Sequence, residues 1–471
     1  MAYTNPGVYI EEVSSGVKPI EGAGTSTAAF IGQTEEGPTE PTLIFKWADY
    51  ENQFGGIQNL EDDPDPMGLA VYTFFLNGGG AAYIVNVSDD ARTYYLAAFE
   101  SLKKIRDINI VCLPGKTYGS DADKGIIGDA VSHVKAMKNR MVIVDLASDT
   151  TLASKTDATD LSLPSSEFSV TYYPWLEVAN PFYKPRDEEA EDRVEEAKED
   201  VKAAKLKVQE AEAKVKKAKE KVEEAKEKVE NAGEDPALLE EANKELDDAE
   251  DELDEAKDEL DEAKKELREA RNALPTLPPT FKIAPSSFVA GMWAKIDGRR
   301  GVWKAPAGVE TSLLGVAGLA ETIDDNLQGQ LNPVGINCIR KIPGAGPVIW
   351  GSRTLSTMAD PEWRYVPVRR TASMIEESIY NNIQWAVFEP NDHRLWSSLR
   401  VNIDAFMNGL WRAGAFQGEK ASDAYFVRCN LGDTMEQADI DAGQVIVEVG
   451  FAPLKPAEFV IVRIQQKVAQ Q

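Results

Sequence analysis

Histidine is nearly absent from this chain: two in 471 residues, together with three cysteines. His133 and His393 lie far apart and show no metal-ligand spacing, so neither builds a metal site by itself. Cys112, Cys338 and Cys429 form no CxxC pair, and their odd number fits reduced thiols in a cytosolic protein. No stretch of 18 apolar residues occurs, so no helical membrane span is expected. No basic segment followed by an apolar run opens the chain, so no secretory signal is expected. Clusters of basic residues are also missing. The formal net charge is −28, which argues against direct nucleic-acid binding. There is no GxSxG elbow, and no cysteine has an evident histidine partner.

One segment imitates a nucleotide site. Ile108 to Leu113 reads as a strand, and Pro114-Gly115-Lys116-Thr117 follows it. Val142-Ile143-Val144-Asp145 then resembles a strand ending in a magnesium ligand. A phosphate-binding loop needs a further glycine five residues before Gly115, so that backbone N–H groups wrap the phosphates. That position is Ile110, inside the strand. No catalytic, cofactor-binding or metal-binding residue is assigned.

What is abundant is heptad repetition. From Ala190 to Val229, Ala and Val alternate at steps of four and three. After Gly233-Glu234-Asp235-Pro236 the pattern resumes as Leu and Ala from Leu239 to Leu274. A period of 3.5 places these residues on one seam. Gly233 suits a helix end, Asp235 an N-cap and Pro236 the first helical turn. Two matched halves of about 42 residues predict an antiparallel coiled-coil hairpin roughly 60 Å long. Residues 187–274 hold 34 acidic and 18 basic residues, so −16 of the net charge belongs to them and −12 to the rest. The outer positions read as a solvated face, either of a rigid spacer or of a docking rod.

Outside the hairpin, strands alternate with helices. Strands are expected at 27–32, 82–87, 108–113, 141–146 and 168–175. Helices are expected at 68–76, 94–104 and 121–138. This is the pattern of a parallel α/β sheet. From about Val334 the pattern changes. Ile336 to Ile342, Val348 to Leu355 and Tyr365 to Arg369 read as strands, Ser373 to Val387 and Leu395 to Trp411 as amphipathic helices. Tyr425 to Cys429, Gln444 to Phe451 and Phe459 to Ile464 read as further strands. Both chain ends read as strands, Val8-Tyr9-Ile10 at one and Phe459 to Ile464 at the other. A terminal strand either pairs internally or is given to a partner's sheet edge.

The residues resemble a known family. Pro6-Gly7-Val8-Tyr9-Ile10-Glu11-Glu12, Thr25 to Gly32 with Gly37-Pro38, and Arg300-Gly301-Val302-Trp303-Lys304-Ala305-Pro306 are similar to segments of contractile tail sheath proteins. Trp350 to Leu355, Trp363 to Arg370, Ile375 to Ile379 and Phe388-Glu389-Pro390-Asn391 continue the resemblance. It covers nearly everything outside 187–274. The family comprises phage tails, R-type bacteriocins and extracellular injection machines.

The pattern of elements predicts an α/β outer domain (23–186 and 275–350) and an α+β C-terminal core domain (351–471) ending in a strand arm. An N-terminal strand arm (1–22) precedes them, and the coiled coil (187–274) is an insertion that departs from compact members of the family. The resemblance implies a non-enzymatic subunit that polymerises helically around an inner tube and contracts to drive that tube through a target envelope. The arms, carried by Val8, Tyr9 and Ile10 and by Phe459, Val460, Ile461 and Val462, would interlace with neighbouring copies. Expected partners are further copies of the chain, an inner tail tube protein, and baseplate and tail-terminator proteins, with no nucleic acid, cofactor or membrane insertion. Assembly is expected in the producing cell's cytoplasm, within a phage tail or a phage-tail-like particle. In the family the C-terminal domain faces the tube, which makes Arg394 and Arg412 of the 395–411 helix candidate tube contacts. The competing reading is an α/β NTPase or other enzyme bearing a coiled-coil arm.

Overall fold

The computed structural model describes residues 19–58, 65–182, 190–231, 236–273 and 280–459. The chain begins with β1 (Ala28–Gly32), β2 (Thr42–Ile44), α1 (Trp47–Phe54), α2 (Pro66–Leu76), β3 (Ala82–Asn86) and α3 (Arg92–Leu102). It continues through β4 (Ile110–Cys112), α4 (Asp121–Met137), β5 (Met141–Val144), α5 (Lys155–Asp160) and β6 (Ser169–Tyr173). Next come β7 (Leu176–Ala179), the long helices α6 (Ala190–Asn231) and α7 (Pro236–Ala273), β8 (Thr280–Ile283) and α8 (Ser286–Arg300). Then β9 (Val316–Leu319), α9 (Asp325–Leu331), β10 (Ile336–Ile342) and β11 (Gly346–Ile349) precede α10 (Val366–Asn382) and α11 (His393–Arg412). The described part closes with α12 (Ala421–Ala424), β12 (Tyr425–Arg428), α13 (Gln437–Asp441) and β13 (Glu448–Phe451).

Eight strands form one sheet in the order β11-β10-β6-β5-β4-β1-β3-β2. From β10 to β3 the strands run parallel, and β11 and β2 add antiparallel edges. β1, β5 and β6 are buried at every residue. Helices cover both faces of a parallel sheet, so such strands are apolar throughout rather than alternating. Phe30, Ile84, Ile110, Ile143 and Tyr172 pack on one face against Phe74 of α2 and Trp293 of α8. Ala29, Ile31, Val85, Val111 and Val142 pack on the other against Phe99 of α3 and Val134 of α4.

The excursion through α6 and α7 starts and ends at neighbouring points, because β7 pairs antiparallel with β8 and Ala179 stands opposite Thr280. It therefore occupies the place of a β-hairpin loop, where inserted chain leaves the scaffold's pairing intact. Val201, Ala204, Val215, Ala218 and Val222 of α6 are buried together with Ala249, Ala256 and Leu267 of α7. On one flank Lys207, Lys214, Lys221 and Lys228 reach Glu266, Glu259, Glu252 and Glu245 in turn. One number rises by seven as the other falls by seven, so these two helices run antiparallel. Such exposed pairs contribute at most about 1 kcal/mol each. They specify register more than they stabilise.

Several sequence expectations need correction. Residues 365–369 are not a strand. Tyr365 is the N-cap residue of α10, and Pro367 sits in its first turn, where a missing N–H costs nothing. The helix expected at 373–387 consequently starts earlier and ends at Asn382, followed by a 3₁₀ turn at Gln384–Ala386. The strand expected at 348–355 ends at Ile349. β10 and β11 belong to the large sheet, so the change of pattern near Val334 is not a change of sheet. The expected strands Val8 to Ile10 and Val460 to Ile464 lie outside the described residues.

Candidate functional site

The first place to test is the crevice at the C-terminal ends of the parallel strands. β1 lies between β3 and β4, so strand order reverses there, and this is where α/β sheets bind ligands. The chain itself fills the gap. A side-chain carbon at Gly32 would lie 3.2 Å from the sulfur of Met67, and one at Gly115 would lie 3.2 Å from Pro66. The N-terminus of α2 is capped by its own Asp65, whose Oδ1 accepts from the N–H groups of Met67 at 3.0 Å and Gly68 at 3.1 Å. Lys116 is 6% exposed and pairs with Asp90 at 2.5 Å and Asp123 at 3.2 Å. Asp145 accepts from the Ser286 N–H at 3.2 Å and from its hydroxyl at 2.5 Å. Both groups of the nucleotide-site mimic are thus consumed in holding the fold.

Burial pushes the Asp145 carboxyl up to about 7, against the pull of the Ser286 hydrogen bonds. A carboxyl whose folded pKa lies above its unfolded value stabilises the fold below the unfolded pKa. That contribution is lost as pH rises through the folded value. Asp145→Asn keeps an acceptor for the Ser286 N–H and carries no buried charge. It should raise stability at pH 8, by roughly 1–3 kcal/mol, and give little gain at pH 4. Urea unfolding at the two pH values checks this, and equal effects at both would contradict the burial account.

His133 and the three cysteines are buried in the fold. His133 is buried, stacked 5.4 Å from the Phe99 ring, and burial with the neighbouring Arg140 charge lowers it to about 4. Burial raises the thiols of all three cysteines, that of Cys338 to about 12.

Charge chemistry is concentrated along α10. Residues Val366 to Ile375 of this helix are all buried, including Arg369 and Arg370. Arg370 forms a two-point pair with Asp297 of α8, at 3.0 and 2.6 Å, and both side chains are 4% exposed. Its guanidinium also stands 4.6 Å from the centre of the Trp293 ring. Arg369 bonds Glu376 at 2.7 Å and Glu167 at 3.2 Å. Arg106, from the loop after α3, pairs with Glu377 at 2.8 and 2.6 Å and lies 3.9 Å from the Tyr380 ring. A planar guanidinium matches a carboxylate through two bonds, which fixes geometry as well as charge. α10 is therefore bolted to the α/β body along one side. On its other side Met374 and Ile375 pack with Ile403 and Met407 of α11.

The same helix holds the two ends of the described chain. Its terminal residue Asn382 donates to the carbonyl of Glu21 at 3.1 Å. Ser378 accepts from the Ala23 N–H at 2.8 Å, and Arg370 donates to the Thr25 carbonyl at 2.8 Å. At its other end Tyr365 donates to Glu458 at 3.2 Å, and Arg353 grips the same carboxylate through Nε at 2.9 Å and through Nη2.

Beyond these roots, β12 and β13 form a two-stranded antiparallel sheet resting on α11. Among the described residues no third strand joins either of its edges. Two strands alone are marginal in water, and such edges invite pairing with another chain.

A family model for the phage tail sheath C-terminal domain matches residues 358–467, which span α10, α11 and this open sheet. The sheath complex of the extracellular contractile injection system PVC, solved in its contracted state, is 25% identical. It superposes with a TM-score of 0.64 over 99% of both chains. The contracted helical sheath of the anti-feeding prophage gives 25% identity and 0.64, covering 99% of this chain and 100% of that one. Over nearly its whole length the chain is similar to contractile tail sheath proteins. Among curated relatives, the tail sheath protein of Burkholderia phage BcepMu is 34% identical over 143 residues. The match spans 30% of that relative's length and 29% of this chain. This sheath fold is mixed α/β, as the alternation of strands and helices implied.

The residues expected to matter in a sheath protein are scattered. Phe459 is 75% exposed, directly after the Glu458 anchor. Val8, Tyr9, Ile10, Val460, Ile461 and Val462 lie outside the described residues. Arg394 at the start of α11 and Arg412 at its end are both exposed. Eighteen residues separate them, roughly 27 Å along the helix, so they do not form one contact. Sequence reasoning missed Arg353, Arg370, Asp297 and Glu458. The usable signal was an Arg-Arg pair within an apolar helix start, since a buried arginine needs a carboxylate.

Proposed function

We propose that this chain is the repeating subunit of a contractile sheath, which polymerises helically around an inner tube and contracts to drive it through a target envelope. Similarity over 99% of the chain to two sheaths solved in the contracted state carries this reading. A heterologous contact that does not close on itself generates the helix. The work is mechanical, a passage from a trapped extended state to a contracted one released at a baseplate. No catalytic step is assigned. Negative-stain microscopy of the purified full-length chain, with and without a tube protein, should show striated tubes. Persistent monomers under both conditions would overturn the proposal.

The chain is organised, in this reading, as arm 1–22, outer domain 23–186 with 275–350, inserted coiled coil 187–274, and core domain 351–471 with its terminal arm. Strands at Val8 to Ile10 and Phe459 to Val462 are donated to the open β12–β13 edges of other copies. Baseplate and tail-terminator proteins cap the polymer, which is assembled in the cytoplasm as part of a phage tail or phage-tail-like particle.

The α6–α7 rod projects outward, because roughly 60 Å of paired helix has no room between a sheath and an enclosed tube. Its acidic surface suits solvent and keeps neighbouring particles apart. Replacing 187–274 by a short Gly/Ser linker should preserve assembly and strip density from the outer surface. The adjacency of Ala179 and Thr280 makes the closure feasible. Loss of all tubes would make the rod part of the sheath wall.

The start of α11 faces the tube through polar contacts, which allow separation on firing where a large apolar interface would lock the two together. Arg394→Glu should weaken tube co-sedimentation several-fold at low salt and less at high salt, with folding unchanged. Arg412→Glu is the second test. Equal co-sedimentation of parent and variants at every salt concentration removes α11 from the interface.

A further inference from the structure

We propose that α10 is the strut that fixes where each arm leaves the subunit, with Glu21 and Glu458 as hydrogen-bonded anchors at the roots of the two arms. The proposal rests on the arm-exchange reading above and adds the residues that position the arms.

The C-terminal anchor is built from the sheet outward. Asn337 of β10 donates to the Thr171 carbonyl at 3.0 Å and to the Arg353 carbonyl at 2.8 Å, and its Oδ1 accepts from the Arg353 N–H at 2.7 Å. Arg353 is buried, donates to the Asn332 carbonyl at 3.1 Å, and holds Glu458 by two bonds with Tyr365 as a third. Between the Phe416–Pro453 bridge and Glu458, no strand pairing holds the described chain. The carboxylate grip re-anchors it one residue before the exposed Phe459.

The N-terminal anchor alternates. Glu21, Ala23 and Thr25 meet Asn382, Ser378 and Arg370, so an extended segment with period two lies along one side of the helix. Thr25 is fixed again by its hydroxyl, which donates to Asp297 at 2.7 Å. The two anchors therefore sit at Tyr365 and Asn382, the opposite ends of one buried helix, about 26 Å apart along its axis. A helix clamped to the body by buried ion pairs holds that separation constant. The arms pivot at fixed points, and force on one arm is transmitted to the other through α10 rather than dissipated in a slack root.

The test uses the full chain carrying Glu458→Gln, Asn382→Ala, the two combined, and the charge swap Arg353→Glu with Glu458→Arg. Each variant should fold. Asn382→Ala removes the bond to the Glu21 carbonyl and one to the Ser378 carbonyl within the last turn of α10, leaving the core intact, so a folded variant is available. A spin label at Ala457 should be held still in the parent and move freely in Glu458→Gln, because the charge-assisted grip on the segment is lost. Tubes of the combined variant should show blurred helical order, or fail to form from folded monomers, and the charge swap should recover the immobilised label and the order. Combined-variant tubes with the parent's twist, rise and diffraction limit overturn the strut. Tubes formed by arm-truncated chains would instead overturn the arm-exchange reading itself.

Discussion

A chain lacking residues 1–18, or ending at Ala457, should fold as a monomer and build no tubes. Neither truncation removes a residue of the large sheet or of its two faces. The core that holds the monomer is therefore untouched. Under the proposed arm exchange, what is lost is the segment each copy would supply to another, and the edges of β12 and β13 would then stay unpaired. Ending at Ala457 also frees Arg353 from Glu458, so the monomer should lose about 1–3 kcal/mol. Ending at Phe459 retains that pair and separates the two effects. Circular dichroism, size-exclusion chromatography and negative stain read fold, association state and tube formation in turn. Tubes of normal appearance from either truncation would show that the terminal segments do not join subunits.

Arg370→Ala should destabilise the folded chain by about 3–5 kcal/mol, the usual cost of stranding one member of a buried ion pair. Burial pushes Asp297 up, and the charge and hydrogen bonds of Arg370 pull it back. Without Arg370 only burial and the Thr25 hydroxyl remain, so the carboxyl titrates further above its unfolded value. A group shifted that way costs stability once pH exceeds the unfolded pKa. The deficit should therefore be full near neutral pH and shrink as pH falls into the acid range. Arg370→Met combined with Asp297→Leu removes both charges and should recover most of the loss, because a buried pair seldom outweighs apolar packing of similar volume. Urea unfolding at pH 5 and pH 8 measures all of these. A loss below 1 kcal/mol in Arg370→Ala would mean that water or another carboxylate reaches the site.

Regular spacing made much of the secondary structure legible. The 3.5-residue seam marks α6 and α7 because each apolar residue there has a single use. The apolar runs at β1, β5 and β6 mark a sheet buried on both faces. The failures share a cause: Val366-Pro367-Val368 alternates like a strand, and only packing of α10 on two layers makes both sides of it apolar. β7 and β8 were unreadable as partners because about 100 residues separate strands that lie side by side.

The sequence by itself determined the parallel strands of the large sheet, the seam of the inserted helices, the absence of a phosphate loop and the resemblance to contractile sheaths. These depend on local spacing or on contiguous motifs, which survive without knowledge of the fold. Tertiary structure alone decided that Met67 and Pro66 plug the sheet crevice and that Arg370 meets Asp297. It also decided that Glu21 and Glu458 are held at opposite ends of α10. Each of these joins residues tens to hundreds of positions apart, and their pairing is chosen by burial of charge in one particular packing rather than by any pattern along the chain.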